Sequence, residues 1–158
     1  AYITTVHSYT TDQRLHDAPH KDLRRARAAA QSIVPTTTGA AKALTRIFPE
    51  LQSNMGGCGI RVPVPDGSLT DLTITVKGEI PSVDKINETF KAAANNSMKG
   101  IIQYIDEPIV SSDIIGNPYS CVFDSLLTST VGSMIKIVGW YDNEAGYSNR
   151  LMDLMKRL

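Results

Sequence analysis

The fold is decided by residues 59–76, which read Gly-Ile-Arg-Val-Pro-Val-Pro-Asp-Gly-Ser-Leu-Thr-Asp-Leu-Thr-Ile-Thr-Val. Residues 59–64 form a β-rich run, and apolar and polar side chains alternate through residues 69–76. Alternation with a period of two is typical of a half-buried strand. Between the two runs, Pro65-Asp-Gly67 consists of residues that favour turns. The pattern predicts two strands that are joined by a turn and paired antiparallel.

A further strand is predicted at the start of the chain. Residues 1–9 open with Ala-Tyr-Ile-Thr-Thr-Val, in which apolar and polar residues alternate. Because this strand begins at the first residue with no leader before it, we expect the chain to be part of something longer. Residues 10–32 are polar and contain Pro19 and a basic cluster, and the alanines at 28–30 favour a short helix. A loop of that length is uncommon unless it is functional or contacts a partner.

Three segments have the period of amphipathic helices. Apolar residues recur at helical spacing through residues 38–51, with Thr37 or Thr38 as the N-cap, and we expect one face of this helix to be buried. A second helix starts at Pro81-Ser82 and ends near Asn95-Asn96. A third closes the chain, with one apolar stripe formed by Leu151, Leu154, Met155 and Leu158.

Further strands are predicted at residues 101–105, 119–123 and 133–141. Strands interrupted by a few helices, without regular β-α-β alternation, indicate an α+β fold. We therefore expect one domain over residues 1–158, with a mostly antiparallel or mixed sheet and a few helices on one face.

Composition limits the classes of function. The 158 residues are 42% hydrophobic and 20% charged, a balance typical of a globular domain. Lys and Arg number 16, as do Asp and Glu, so no bulk charge attracts nucleic acid or an anionic membrane. The sequence shows neither an apolar run of about 20 residues nor a signal peptide, so we expect a cytoplasmic protein. Cys58 and Cys121 lack metal-site spacing, so we expect packing roles for both and no bound metal.

His7 is the first candidate for chemistry, because imidazole exchanges a proton near neutral pH and can act as a base. Thr5, Thr10, Thr11 and Asp12 surround His7 with hydroxyls and a carboxylate, which are able to hold an anionic substrate, but such residues equally form turns. A lone histidine is more often a hydrogen-bonded structural residue. The residues around His7 therefore leave both interpretations open.

Three more segments place polar groups where function is common. Thr36–Ala40 starts a predicted helix, where hydroxyls and free backbone N–H groups attract phosphate, although simple N-capping is the alternative. Arg61 interrupts an apolar run, so its guanidinium requires either an anionic ligand or a structural carboxylate. Residues 140–147, Trp-Tyr-Asp-Asn-Glu-Ala-Gly-Tyr, join a predicted strand to a helix, and strand ends often carry functional groups.

These segments belong to a series of seven blocks that spans essentially the whole chain. The blocks are Thr4-Thr-Val-His-Ser-Tyr-Thr10, Pro19-His-Lys-Asp-Leu-Arg-Arg-Ala-Arg-Ala-Ala29, Pro35-Thr-Thr-Thr-Gly-Ala-Ala-Lys42, Arg61-Val-Pro63, Lys99-Gly-Ile101, Val110-Ser-Ser-Asp113 and Trp140-Tyr-Asp-Asn-Glu-Ala-Gly-Tyr-Ser-Asn-Arg150. In this order they resemble the catalytic, C-terminal domain of phosphorylating glyceraldehyde-3-phosphate dehydrogenases. Seven blocks in register are far more specific than any one of them.

The resemblance implies an activity. In this family a cysteine thiolate attacks the aldehyde of glyceraldehyde 3-phosphate, hydride passes to NAD, and inorganic phosphate cleaves the thioester to give 1,3-bisphosphoglycerate. By position, His7 matches the base that forms an ion pair with the thiolate and assists hydride transfer. An imidazolium beside a cysteine favours the nucleophilic thiolate.

The resemblance also implies the other site residues, all by position. The implied ligands are Thr10, Arg61 and Asp12 for the substrate's phosphate, Thr38 and Gly39 for the attacking phosphate, and Asn143 and Tyr147 for the nicotinamide. The implied assembly is a homotetramer, in which residues 10–32 lie across subunit contacts and border a neighbour's cofactor site. The implied cofactor is NAD, and Ala18-Pro19, in place of the Leu-Pro of many NAD-specific members, leaves NADP open.

Two parts of the family's machinery have no counterpart in the sequence. The Ser-Cys-Thr-Thr-Asn-Cys motif that carries the nucleophile is absent, and so is the Rossmann domain that binds the adenine half of the cofactor. We expect this chain alone to be inactive. The open alternatives are an erythrose-4-phosphate dehydrogenase, which shares the fold and the histidine, and a binding or assembly fragment without turnover.

Overall fold

The computed structural model describes residues 1–158, and its centre is one mixed sheet of eight strands. In chain order the strands are β1 Tyr2–Ser8, β2 Val34–Thr36, β3 Gly56–Val62, β4 Ser68–Thr75, β5 Ile102–Ile105, β6 Cys121–Asp124, β7 Ser129–Val131 and β8 Met134–Tyr141. Their order across the sheet is β2-β3-β1-β4-β8-β6-β5, and β7 pairs with β8 off this path. The α+β class and the mixed sheet are confirmed.

Three α-helices and three short 3-10 helices complete the chain. The α-helices are α1 Ala40–Ile47, α2 Val83–Asn95 and α3 Ala145–Met155, and the 3-10 helices are Pro49–Leu51, Ser111–Ile114 and Ser125–Leu127. None of the helices combines the length and the apolar character that crossing a membrane requires.

The predicted pairing of the two strands in residues 59–76 is wrong. β3 and β4 are both present, but β1 lies between them, parallel to β3 and antiparallel to β4. The period-two pattern identified each strand, but it carries no information on which strand is its neighbour. The turn around Pro65-Asp-Gly67 therefore spans two strand spacings, roughly 9.6 Å, instead of one.

β1 sets which side chains share a face of the sheet. Its register places Thr5 opposite Gly59 of β3 and opposite Thr70 of β4. His7 lies opposite Arg61 by the same register. Because alternate residues of a strand point to the same face, Thr5 and His7 lie on one side of the sheet together with their partners.

Helix α2 packs as its sequence predicts. The Ser82 hydroxyl accepts a hydrogen bond from the Lys85 backbone N–H at 3.1 Å and caps the first turn. Ile86 is buried, and the Phe90 ring stacks on Phe123 of β6 with centroids 4.0 Å apart. The predicted start, end and buried face of this helix are confirmed.

The other helix predictions are confirmed only in part. α1 exists, but its N-cap is Gly39, and none of its residues is buried. Ile47 is 69% exposed, and Leu154 on the apolar stripe of α3 is 56% exposed. Residues 28–30 form no helix; Ala29 is buried, and its backbone N–H donates to the Arg14 carbonyl oxygen at 2.9 Å. The apolar faces of α1 and α3 are thus present, but this chain leaves Ile47 and Leu154 on them largely exposed.

Gly67 closes the turn before β4, and we predict that it cannot be replaced without loss of stability. Its φ is +84°, and a Cβ there would overlap the Ser111 carbonyl oxygen. Gly78 has φ +87° with nothing within 4 Å of its Cβ position, so it is a matched control for backbone strain alone. Urea unfolding of Gly67→Ala and Gly78→Ala should show a loss of about 1–2 kcal/mol for Gly78→Ala and a larger loss for Gly67→Ala. Equal losses would contradict the close packing of Gly67 on Ser111.

Candidate active site

Two cavities meet at His7, near the end of β1. The first, about 490 Å³, lies over the sheet and is lined mainly by hydroxyl side chains together with His7 and Arg61. The second, about 610 Å³, lies beyond the strand ends and includes Thr10, Asp66 and Asn143. His7 is the one residue that lines both cavities, so its ring stands between them.

The first cavity is open because glycine occupies the strand position beside its floor. Thr5 and Thr70 lie opposite each other on β1 and β4, and Gly59 continues this row on β3. A Cβ at Gly59 would approach the Thr37 carbonyl oxygen to 3.1 Å. The absence of a side chain there allows residues 36–38 to pass close to the sheet and to form one wall of the cavity.

Arg61 and His7 are in direct contact. The His7 Nδ1 lies 2.5 Å from Arg61 Nη1, and the same guanidinium nitrogen donates to the Ser8 carbonyl oxygen at 3.0 Å. No carboxylate pairs with Arg61, so the structural carboxylate suggested by its apolar strand is not its partner. Its side chain contacts the histidine, and both groups line the first cavity.

The contacts of Nδ1 constrain the protonation of His7. Nδ1 is also 2.8 Å from the Ser8 carbonyl oxygen, but it cannot accept from Arg61 and donate to Ser8 at the same time. We assign the neutral ring with its proton on Nε2, because a guanidinium hydrogen then points at the Nδ1 lone pair. This tautomer leaves Nε2 without a protein partner among the hydrogen bonds of the structure.

The neutral assignment agrees with the direction of the histidine's pKa. Burial is the largest effect and lowers the pKa of His7 from its ordinary value of 6.5. The contact with the Ser8 carbonyl raises the pKa, the Arg61 charge lowers it, and Asp66 has the smallest effect, so that the net direction is downward. Burial also lowers the pKa of Arg61, and the nearby Arg25 charge adds to that effect. The guanidinium nevertheless stays charged at neutral pH. The cavity therefore pairs a neutral base with a fixed cation.

Residues 36–38 contribute hydroxyls to the first cavity, but some of these already have partners. Arg25 donates to the Thr36 hydroxyl oxygen from Nε at 3.1 Å and from Nη2 at 2.7 Å. The Thr38 hydroxyl oxygen accepts from the Ala40 backbone N–H at 3.2 Å. Thr38 and Gly39 thus line the same cavity as His7 and Arg61, and the Thr38 hydroxyl retains its own proton to donate.

Thr10 and Asp12 lie apart from Arg61. Thr10 lines the second cavity, and its backbone N–H donates to the Gln13 side-chain oxygen at 3.2 Å. Asp12 lines neither cavity and pairs with Arg25, with His20 Nε2 at 3.8 Å. The structure brings Arg61 together with Thr38 and Gly39, and it connects Thr10 to them only through His7. A single phosphate site formed by Thr10 and Arg61 stays a prediction.

Asn143 is held firmly at the second cavity. Its side-chain oxygen accepts from the Ser68 hydroxyl at 2.5 Å, and its amide nitrogen donates to the Ser8 hydroxyl. The neighbouring Asp142 accepts from the Glu144 and Ala145 backbone N–H groups at 2.8 and 2.6 Å, which fixes the start of α3. One amide hydrogen of Asn143 remains available to a ligand.

Tyr147 lies outside both cavities. It is 69% exposed on α3. A role for Tyr147 at a nicotinamide ring therefore stays a prediction.

The first cavity contains Thr5, which the sequence indicates beside His7 as a possible ligand for an anion, and two residues that the sequence does not single out, Thr70 and Tyr141. The Tyr141 ring meets the His7 ring edge-on at 6.2 Å. Burial raises the pKa of Tyr141, so its hydroxyl stays protonated at neutral pH. The alternation of β1 places Thr5 on the same face as His7, but the position of Thr70 follows only from the identity of the strand that pairs with β1.

Neither cysteine is placed to act as the nucleophile. Burial raises the pKa of Cys121 to about 11, which keeps it as an unreactive thiol. Cys58 lies opposite Thr4 on β1, on the face of the sheet away from Thr5 and His7. The structure also contains no group of three or more His, Cys, Asp or Glu residues arranged to hold a metal ion.

Comparisons with known proteins place the chain in a family. Residues 1–143 match the family described as glyceraldehyde 3-phosphate dehydrogenase, C-terminal domain. Glyceraldehyde-3-phosphate dehydrogenase 2 of Streptomyces arenae is 58% identical over 152 residues, which cover 96% of this chain and 45% of the relative. The glyceraldehyde-3-phosphate dehydrogenases of Mycobacterium tuberculosis and Mycobacterium avium are also 58% identical, each over 153 residues.

The chain therefore belongs to the family of glyceraldehyde-3-phosphate dehydrogenase C-terminal domains. It spans 45% of the length of these curated relatives. The matched region includes His7, Arg61 and Asn143, whereas Tyr147 lies beyond it.

Burial of His7, together with the Arg61 charge, predicts that the pKa of His7 lies below its ordinary value. The neutral ring's contribution to stability is present above pH 6.5 and is lost as the pH falls from 6.5 toward the lowered pKa, because the unfolded chain binds the proton first. An NMR titration should place the midpoint of His7 below 6.5, and Arg61→Gln should move it upward. Arg157→Gln, a change of the same kind at the exposed end of the chain, should leave it unchanged. A midpoint of His7 that does not respond to Arg61→Gln would contradict the contact.

Proposed function

We propose that this chain is the substrate-binding half of a phosphorylating glyceraldehyde-3-phosphate dehydrogenase, which converts glyceraldehyde 3-phosphate, phosphate and NAD(P) to 1,3-bisphosphoglycerate. The observation that carries the proposal is the contact of His7 with Arg61 at the junction of two polar cavities. A base and a fixed cation at such a place suit a reaction in which an anionic substrate gives up a proton. Family membership supports the same activity.

His7 would act as the base through Nε2. Arg61 occupies the Nδ1 side of the ring, so Nε2 is the nitrogen that remains for a reacting group. In its neutral form it can take the proton of a cysteine thiol or of the hemithioacetal hydroxyl that forms after the thiol adds to the aldehyde. Once protonated, the ring would stabilise the thiolate as its counterion. The nucleophilic cysteine comes from outside these 158 residues in this proposal, since Cys58 and Cys121 are both unsuitable.

The two cavities offer two places for phosphate. Arg61 with Thr38 and Gly39 supplies a cation, a hydroxyl and a helix start on one side of His7, and Thr10 supplies a hydroxyl on the other. Two phosphates are required by the reaction, one carried by the aldehyde and one that cleaves the thioester. The resemblance assigns Thr10, Arg61 and Asp12 to the former, and Thr38 and Gly39 to the latter. Because Arg61 shares its cavity with Thr38 and Gly39, we propose that it binds whichever of the two phosphates occupies the first cavity, and that Thr10 binds the other. Asp12 would take part through Arg25, with which it pairs.

The residues near the second cavity fit a nicotinamide. Asn143 is oriented by Ser8 and Ser68 and retains one amide hydrogen, which can donate to the carboxamide oxygen of NAD. When bound, the cofactor would supply the hydride acceptor. Tyr147 would reach the ring only in the complete protein, where we place this domain in a cytoplasmic homotetramer with residues 10–32 at a subunit contact.

The isolated chain should fold but should not catalyse the oxidation of glyceraldehyde 3-phosphate. A mixture of the 158-residue chain with glyceraldehyde 3-phosphate, phosphate and NAD should give no NADH absorbance, because the nucleophile lies outside the chain. The full-length protein that contains the chain should produce NADH under the same conditions. Steady NADH formation by the isolated chain would contradict the assignment of the nucleophile, and no activity in the full-length protein would contradict the proposed function.

His7→Asn in the full-length protein should slow acylation by about 10²–10⁴-fold, the usual contribution of a general base. It should also raise the apparent pKa of the nucleophilic thiol, measured as the pH dependence of alkylation, and change NAD affinity little. His16→Asn is the matched control, because His16 is an exposed residue that lines neither cavity. An unchanged alkylation profile in His7→Asn would exclude the thiolate-partner role.

A further inference from the structure

Thr5 has a buried hydroxyl that lacks a partner. Its residue is 5% exposed, and the Oγ1 atom makes no hydrogen bond in the structure. A buried hydroxyl without a partner costs free energy relative to one that is paired, so such groups in native proteins require an explanation. Three other buried polar atoms share this property, in Gln13, Asn87 and Thr128, but only Thr5 lines the cavity that contains Arg61.

The surroundings of Thr5 define the charge of a matching ligand. The cavity is lined by Arg61 and His7 and by no aspartate or glutamate. Gly59 beside Thr5 has no side chain to block an approaching ligand. The Thr38 hydroxyl, near the start of α1, lines the same cavity. A cation and several hydroxyls without a carboxylate favour a compact oxyanion with several acceptor oxygens.

We propose that the Thr5 hydroxyl donates a hydrogen bond to an oxygen of a phosphate group held by Arg61 in the first cavity. This deepens the proposed function and rests on it for the identity of the phosphate, which is either inorganic phosphate or the phosphate of the aldehyde substrate. Thr5 adds a hydroxyl from the sheet to the cavity that Thr38 also lines. The hydroxyl is unpaired without ligand because the ligand is its partner.

A ligand-binding hydroxyl and a structural hydroxyl at Thr5 have different effects on stability and ligand affinity when they are removed. If the hydroxyl is structural, its replacement by a methyl group should lower the free energy of unfolding of the protein. If the hydroxyl binds a ligand, its replacement should weaken only the affinity for that ligand, and the unliganded protein should be as stable or more stable. Thr5→Val removes the hydroxyl and nearly keeps the shape, and Thr5→Ser keeps the hydroxyl. Thr128→Val is a matched control, because Thr128 also has a buried, unpaired hydroxyl but lies outside both cavities.

The experiment uses the full-length protein that contains this chain. Inorganic phosphate binding is measured directly by calorimetry, and the KM values for inorganic phosphate and for glyceraldehyde 3-phosphate are measured separately. Thr5→Val should weaken one of the two by about tenfold, as expected for a hydrogen bond to a charged group, while Thr5→Ser and Thr128→Val stay near the unmodified protein. A change in the KM for inorganic phosphate identifies the attacking phosphate as the ligand, and a change in the other KM identifies the substrate's phosphate.

Failure of this inference differs from failure of the proposed function. If Thr5→Val leaves phosphate affinity and both KM values within about twofold of the unmodified protein, the inference is overturned while the dehydrogenase activity stands. If the protein binds phosphate in a Thr5-dependent manner but does not oxidise the aldehyde, the inference stands and the proposed function fails. If urea unfolding shows that Thr5→Val is destabilised without ligand, Thr5 is structural and the inference is overturned.

Discussion

β1 runs between β3 and β4, and the candidate site depends on the backbone hydrogen bonds that hold it in that register. The parallel ladder with β3 puts His7 opposite Arg61, and the antiparallel ladder with β4 puts Thr5 opposite Thr70. A slip of one residue would move both His7 and Thr5 to the other face of the sheet. The base, the cation and the cavity floor are therefore set by one strand's position.

The contact between Arg61 and His7 makes the protonation of the His7 ring depend on the net charge around the Arg61 guanidinium. The guanidinium and burial both favour the neutral imidazole in the unliganded protein. A phosphate bound by Arg61 would offset the positive charge and would thereby raise the pKa of His7. Anion binding and the capacity of the ring to hold a proton are thus coupled, with the histidine a better base when the anion is present.

The helices show which properties an amphipathic sequence pattern predicts: where a helix forms, but not whether its apolar face is buried. α1 and α3 both form where the apolar period predicts, because that period and the local propensities are properties of the segment itself. The burial of an apolar face depends on a second surface, and this chain supplies one for α2, through Phe123, but none for Ile47 or Leu154. Similarly, the short strands β2 and β7 have three residues each, too few for a period to identify them.

The sequence by itself determined the α+β class, most strands and helices, and the family, because local periodicity and ordered motifs are written in consecutive residues. It also identified His7 and Arg61 as candidate functional residues. Only the tertiary structure decided that these two touch and that Thr5 lies buried without a partner beside them. Likewise, only the structure separated Thr10 from Arg61. The physical reason is that strand order and register arise from pairing between distant segments, and a pattern within one segment does not specify its neighbour.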